Sequence, residues 1–265
     1  MKACILSALP EDYPWKQQLQ YHDTIGSTND HLKLLARNGA SHGTAVIAGH
    51  QTNGHGRRGR SFHSPKGKGI YLSVLLRPDC RPVEMMHLTC ATAVAMCDAV
   101  EKAADIRPGI KWTNDLVYGK KKLGGILTEL ALTPAGMVEY AIVGVGINCS
   151  HQTADFPEEI REIAASLDMI TGKRTEPAQL AAAMLEALCR MDAGLLVEKT
   201  KMLEQYRRNC ITIGQEISLV RGDEIRHGRA LSVDEEGALV VEFSDGSIHS
   251  VNSGEVSVRG MYGYV

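Results

Sequence analysis

From Thr44 to Ala48 the chain reads TAVIA, and from Ile70 to Leu76 it reads IYLSVLL. Both are apolar runs of the length a buried strand needs. A polar, glycine-rich stretch separates them, so the pattern predicts two strands joined by a long basic loop. Upstream, Ser27-Thr28-Asn29-Asp30 has the S-x-x-D form of a capping box, in which a hydroxyl and a carboxylate satisfy amides at a helix start. Leu32, Leu34 and Leu35, followed by a stop at Gly39, extend this to a helix of about three turns. Met85–Ala104 is apolar on most faces, the mark of a central helix. Ile110–Trp112 and Leu116–Tyr118 read as short strands around Thr113-Asn114-Asp115, with a turn at Gly119–Lys122. Ile126–Leu132 and Val138–Val145 predict a hairpin. Pro157–Leu167 and Pro177–Arg208 are expected to be helical, each with Pro near its start.

After Asn209 the period changes. Ile211–Val258 alternates with period two and carries turn signals at Arg221-Gly222-Asp223, Glu236-Gly237 and Asp245-Gly246. The expected fold class is α+β: a mixed-sheet unit over residues 15–209, then a compact β-barrel over 210–262.

A chain of 265 residues, 44% hydrophobic and 23% charged, is long enough for one sizeable core and a small second unit. A net charge of −2 excludes a polyanion binder acting through the whole molecule. The charge is unevenly placed, however. No Asp or Glu lies between Asp30 and Asp79, an interval with eight Lys or Arg, and Arg57, Arg58, Arg60, Lys66 and Lys68 crowd one stretch of it. That points to a local anion site. The seven cysteines include no CxxC pair, which fits reduced thiols better than a disulfide framework or a metal knuckle. Cys90 and Cys97 are expected in the core. The opening MKACILSALPEDYP is too short for a secretory apolar region, and no apolar stretch approaches a membrane span in length, so a cytoplasmic protein is expected.

Three segments hold candidate chemistry. Residues 54–60, Gly-His-Gly-Arg-Arg-Gly-Arg, satisfy G-x-G-x-x-G literally, with Asp79 in the position of a ribose-binding acid. A dinucleotide fingerprint must open a helix. Here Pro65, Gly67, Gly69 and a strand follow, and no Walker A sequence occurs either. Two readings remain: a mobile loop whose guanidinium forks take phosphate or carboxylate, or a solvated basic turn touching nucleic acid. In the second segment, Lys111-Trp112-Thr113-Asn114-Asp115 is followed by Lys120–Leu127, where Lys122 precedes Gly124-Gly125. Asn114 and Asp115 offer oxygens to a cation or an amine; ordinary turn residues at a lysine-rich hairpin tip are the alternative. The third, Val143–Asn148, alternates Gly144 and Gly146. This flattens one sheet face for a ligand or marks a bulge.

In this order and spacing the segments resemble the biotin–protein ligases. The family's marks are a Ser-Thr-Asn start, a GRGRRGR-type loop, KWPND, KLxGIL, a GxGIN strand and a C-terminal SH3-like barrel. Here Ser27-Thr28-Asn29, Gly54–Arg60, Lys111–Asp115, Lys122–Leu127, Gly144–Asn148 and a terminal Gly254–Arg259 stand in the same register. The resemblance implies a class II synthetase-like catalytic domain and ATP-dependent activation of biotin to biotinoyl-5'-AMP. Transfer to a lysine of a biotin carboxyl carrier protein would follow, with Mg²⁺ on the phosphates. It implies Lys122 and Arg57 at the reacting anions, Arg60 on the nucleotide and Asp115 at the incoming amine. Ser27, Thr28 and Gln51 would meet the ureido ring, Gly125 and Gly144 leave room, and Phe62 and Asn148 meet adenine. Asn29, Gly54, His55, Gly56, Ser73, Lys111, Asn114 and Gly146 complete the expected binding set, and Glu255 and Arg259 match positions associated with ATP and domain contact. Two positions depart from the pattern: His55 stands where Arg is usual, and Thr113 where Pro is common. His55, uncharged when neutral, is expected to weaken the loop's grip on the adenylate. Bifunctional members carry an N-terminal winged helix-turn-helix; with about 26 residues ahead of Ser27, no operator binding is expected. Related proteins occur as monomers and as homodimers through the sheet edge. The rival expectations are a lipoate–protein ligase and a non-enzymatic biotin-responsive binding module.

Overall fold

A computed structural model describes residues 1–252 and the backbone of Ser257–Gly260. Seven strands form the larger sheet: β1 (Leu19–His22), β2 (Ala45–Ala48), β3 (Gly69–Leu76), β4 (Gly109–Lys111), β5 (Asp115–Tyr118), β6 (Lys121–Leu132) and β7 (Val138–Asn148). Their order is β1-β2-β3-β7-β6-β5-β4. Only β1 and β2 run parallel, so the sheet is mixed, as expected.

The parity of the central strands sorts the two faces. On β7, Ala141, Val143, Val145 and Ile147 join the main core, where α3 (Leu88–Ala104) and α5 (Pro177–Gly194) pack. The opposite parity, Tyr140 and Ile142, packs with Leu32 and Ala36 of α2 (Thr28–Arg37). Gly144, Gly146 and Asn148 continue that second face beyond the end of α2. The candidate site opens there.

Eleven of the 17 residues of α3 are buried. Pro82–Ala104 is long and apolar enough to cross a membrane by length and composition, contrary to the sequence expectation, yet 72% of its most apolar stretch is buried inside the fold. Its apolarity is used against α5 and the sheet. Cys90 and Cys97 are buried there, and burial pushes both thiols up.

Several expected elements differ. An unexpected helix, α1 (Lys2–Ala8), packs against α5 and buries Ile5 and Leu9; Pro10 after so short an apolar run hides it from a pattern search. The expected helix over 157–167 is a single 3-10 turn, Glu158–Ile160, then a turn that ends in an isolated bridge at Ala164, and the short α4 (Leu167–Thr171). Long-range pairing outcompetes the helix: the Lys122 amide donates to the Ile163 carbonyl at 2.7 Å, and the Ala165 amide donates to the Lys122 carbonyl at 2.9 Å. Pro177–Arg208 is two helices, α5 and α6 (Lys199–Asn209). The chain turns after Gly194, where the Leu195 carbonyl accepts a bond from His87 Nε2 at 2.9 Å.

The C-terminal unit is a five-stranded antiparallel sheet, ordered β11-β10-β9-β8-β12. The strands are β8 (Glu216–Arg221), β9 (Glu224–Val233), β10 (Leu239–Phe243), β11 (Ile248–Val251) and β12 (Ser257–Gly260). Its inward residues, among them Ile217, Leu219, Leu239 and Val241, belong to the same apolar cluster as α3. Cys210 bridges to Ile110 beside β4, so the chain enters this unit along the edge of the larger sheet.

Candidate active site

A cavity of about 530 Å³ opens on the α2 face of the large sheet. The start of α2 supplies its floor. Ser27 caps that helix, accepting the Asp30 amide at 3.4 Å, as the S-x-x-D pattern predicts. The reciprocal half of the box is diverted: the Asp30 carboxylate faces His55 at 2.7 Å and Lys33 at 3.1 Å. Burial works to raise the Asp30 carboxyl, but His55 and Lys33 outweigh it and hold it below the usual carboxylate range. Gln51 Oε1 accepts from the Thr28 amide at 2.9 Å and from its hydroxyl at 3.0 Å. Ser73, wholly buried, reaches Thr28 Oγ1 at 2.7 Å and Asn29 Oδ1 at 2.6 Å. Asn29 Nδ2 donates to Glu129 at 2.8 Å and to the Leu127 carbonyl at 3.3 Å.

The basic stretch forms a small hairpin above this floor. The Gly56 amide donates to Arg60 at 2.6 Å, the Phe62 amide donates to Gly54 at 2.8 Å, and the chain reverses through left-handed Arg58 (φ 58°) and Gly59 (φ 72°). On its far side Arg57 Nη1 donates to Asn114 Oδ1 at 2.7 Å. Burial works against the Arg57 charge, and the nearby Asp115 charge supports it. Lys122 Nζ lies 2.6 Å from Asp115 Oδ1, a half-buried pair. A Cβ placed on Gly125 would sit 3.4 Å from Lys122 Nζ and 3.6 Å from Asp115 Oδ1, so this glycine keeps the space beside the pair open.

Of the expected residues, Ser27, Thr28, Asn29, Gln51, His55, Gly56, Arg57, Arg60, Phe62, Lys111, Asn114, Asp115, Lys122, Gly125, Gly144, Gly146 and Asn148 all line the cavity. Gly54 and Ser73 do not: Gly54 packs against the Phe62 carbonyl and Ser64, and Ser73 lies beneath the floor. Glu255 and the Arg259 side chain fall outside the described residues. The two β7 glycines act differently from a flat platform. A Cβ on Gly144 would collide with the Asn29 amide, and one on Gly146 with the Phe62 ring. The room they leave is filled by protein side chains, which then face the cavity.

Sequence reasoning missed one wall. Ile160, Ile163 and Ala164, from the segment expected to be a helix, and Phe156 just before it line the cavity. Trp112, present in a motif but given no role, also lines it; its indole N–H donates to the Gly237 carbonyl at 3.0 Å, so a turn of the small sheet buttresses the site. Around the cavity stand the cations Arg57, Arg58, Arg60, Lys111 and Lys122 and, among the described residues, the single carboxylate Asp115. A protein of net charge −2 has gathered an excess of positive charge over a polar slot with apolar walls. Such a site takes an anion attached to an uncharged body.

The sequence pattern of the biotin/lipoate A/B protein ligase family matches residues 21–148, and that of the biotin protein ligase C-terminal domain matches residues 212–259. The Bacillus subtilis bifunctional ligase/repressor BirA is 34% identical over 243 residues, 91% of this chain and 74% of that protein. The Mycobacterium tuberculosis biotin–[acetyl-CoA-carboxylase] ligase is 30% identical, over 91% of this chain and 89% of that protein. The solved Aquifex aeolicus biotin protein ligase, in complex with biotin and ATP, superposes with a TM-score of 0.77 at 28% identity, covering 91% of this chain and 98% of its own. The chain belongs to the biotin protein ligase family.

Proposed function

We propose that this chain is an ATP-dependent biotin–[acetyl-CoA-carboxylase] ligase, which makes biotinoyl-5'-AMP and passes the biotinoyl group to a carrier lysine. The observation that carries the reading is the cationic excess converging on Lys122 and Asp115 beside the opening at Gly125. In the first step the biotin carboxylate attacks the α-phosphorus of ATP and pyrophosphate leaves. Two anions at ~4 Å repel by roughly 4 kcal/mol at an effective dielectric near 20. Lys122 and Arg57 offset that repulsion and the charge that grows in the transition state. Arg60 and Lys111 add to the field at the nucleotide. The uncharged ring system rests on Ser27, Thr28, Gln51 and Asn29, with adenine against Phe62 and Asn148. The arginine hairpin covers the anhydride and keeps water from it.

In the second step the neutral amine of the carrier lysine attacks the acyl carbon and AMP leaves. A lysine ammonium has an ordinary pKa near 10.4, so a proton must be removed. Asp115 is placed to accept it once the anionic substrate competes for Lys122 and loosens the 2.6 Å pair. Among the described residues no cluster of three His, Cys, Asp or Glu side chains would hold a metal. Mg²⁺, where bound with ATP, would offset phosphate charge. The match of the small sheet to the biotin ligase C-terminal domain favours biotin over lipoate. The test is incubation with ATP, Mg²⁺, labelled biotin and an apo biotin carboxyl carrier domain. Label on the carrier lysine is expected; no transfer of biotin, with transfer in a parallel incubation with labelled lipoate and a lipoyl carrier domain, overturns the assignment.

A further inference from the structure

The residue that departs from the family pattern in the arginine hairpin, His55, meets Asp30, the acid of the S-x-x-D capping box, which lies outside the motifs that carry the family resemblance. We infer that Asp30 is a positioning residue: through His55 it fastens the 54–60 hairpin across the cavity to the helix turn that forms the floor. His55 Nε2 lies 2.7 Å from Asp30 Oδ2, and His55 lines the cavity while Asp30 does not. The Asp30 carboxylate is itself held in place. Its other oxygen meets Lys33 at 3.1 Å, Lys33 meets Glu129 at 2.7 Å, and Glu129 accepts from Asn29 at 2.8 Å. The anchor is thus tied to β6 and to the floor. On its other side the hairpin is held by Arg57 on Asn114 at 2.7 Å. Internal bonds, Gly56 to Arg60 and Phe62 to Gly54, make the hairpin a unit. With the His55–Asp30 contact cut, the hairpin loses its tie to the helix turn and is freer to swing on the side of Asn114. Both partners are partly exposed, with side chains 37% and 49% accessible, so the pair adds little to global stability. A cover needs only a modest bias between open and closed.

The inference extends the proposed ligase reading, and its test has one arm that does not depend on it. In the ligand-free protein, trypsin cleavage after Arg57, Arg58 and Arg60 reports hairpin opening. Asp30→Asn and His55→Ala should each raise that cleavage rate by about three- to ten-fold. The double variant should be no faster than the faster single variant, because one contact is lost either way. His55→Gln, which keeps a hydrogen-bond donor opposite Asp30 and adds no trypsin site, should cleave near the wild-type rate, and combining it with Asp30→Ala should restore fast cleavage. In the second arm, preformed biotinoyl-5'-AMP should leave Asp30→Asn faster by a similar factor. Its ATP–pyrophosphate exchange at saturating substrate should stay within about two-fold of wild type. Unchanged cleavage in Asp30→Asn, or single effects that multiply in the double variant, would overturn the inference. Asp30 would then serve only as a first-turn acid of α2. Failure of the wild-type chain to form any adenylate would sink the ligase reading, and the trypsin arm would still judge the latch.

Discussion

The floor of the cavity is uncharged, and its hydrogen bonds close on each other. Ser73 joins Thr28 and Asn29, Gln51 joins Thr28 and Ser64, and Asn29 is fixed by β6. The rim is charged, partly exposed and paired with stand-ins. Lys122 faces Asp115 with 29% and 18% of their side chains accessible, and Arg57 rests on an amide oxygen. The floor therefore has a shape fixed by its own bonds, and on the proposed reading its geometry would set affinity. On the same reading a ligand exchanges the rim pairs for its own oxygens, and those contacts would set rate. Mutations should sort accordingly: rim substitutions move turnover and retention, floor substitutions move binding.

The hardest test is Lys122→Ala. Removing a cation from such a site costs about 10²–10³-fold in rate, and here it also takes away the 2.6 Å partner of Asp115. We expect at least about 10³-fold slower ATP–pyrophosphate exchange with an unchanged melting temperature. Near-normal exchange would break the contrast at its strongest point. Arg57→Gly should come next. With the contact to Asn114 lost, biotinoyl-5'-AMP should escape about 10²-fold faster, roughly the loss of one charged hydrogen bond. The readout is biotinylation of lysines on a bystander protein; an intermediate that stays bound contradicts the assignment. Gly144→Ala probes the floor. Its new methyl group meets the Asn29 amide, which must give up its bonds to Leu127 and Glu129. That predicts about 10–50-fold weaker biotin binding by calorimetry, with turnover at saturating biotin close to wild type. A fall in turnover at unchanged affinity would erase the distinction between floor and rim.

The same contrast explains what was legible in the sequence. The rim was readable because its residues sit in contiguous motifs, and Lys122, Asp115 and Arg57 do converge. The strands were readable from their apolar runs, and the parity of β7 put its glycines on one face. What was hidden depends on partners far along the chain. Ser27 caps its helix as the local pattern predicts, yet the destination of Asp30 is a histidine 25 residues away. The spacing of Ile160 and Ala164 fits a helix, but the backbone of Lys122 takes this segment as a neighbour instead. Nothing around Trp112 points to Gly237, 125 residues on. Gly144 and Gly146 read as space, while which side chain fills that space is a tertiary fact.

The smallest expected effect concerns the wall behind Phe156, and it asks whether the dry side of the cavity resists charge as the contrast implies. His151 is wholly buried and stacks on Phe156 with ring centroids 4.8 Å apart and planes 8° apart. Neither of its ring nitrogens has a hydrogen-bond partner among the described residues, and His63 lies 6.2 Å away. Burial, helped by the charge on His63, pushes the imidazole from its ordinary 6.5 down to about 4. The sign follows from proton counting: between these values the unfolded chain binds a proton at this position and the folded chain does not. Stability is therefore retained above about pH 6.5 and lost as pH falls toward 4, by as much as about 3 kcal/mol once both states are protonated. From about pH 7.5 to pH 6 the loss is only about 1 kcal/mol, or a melting temperature lower by roughly 2–4 °C. His151→Phe keeps an aromatic ring against Phe156 and removes the titration, so its melting temperature should fall less than that of wild type over the same interval. Parallel profiles for the two proteins would mean that the wall accepts a proton freely, and the water-poor side of the site would have to be redrawn.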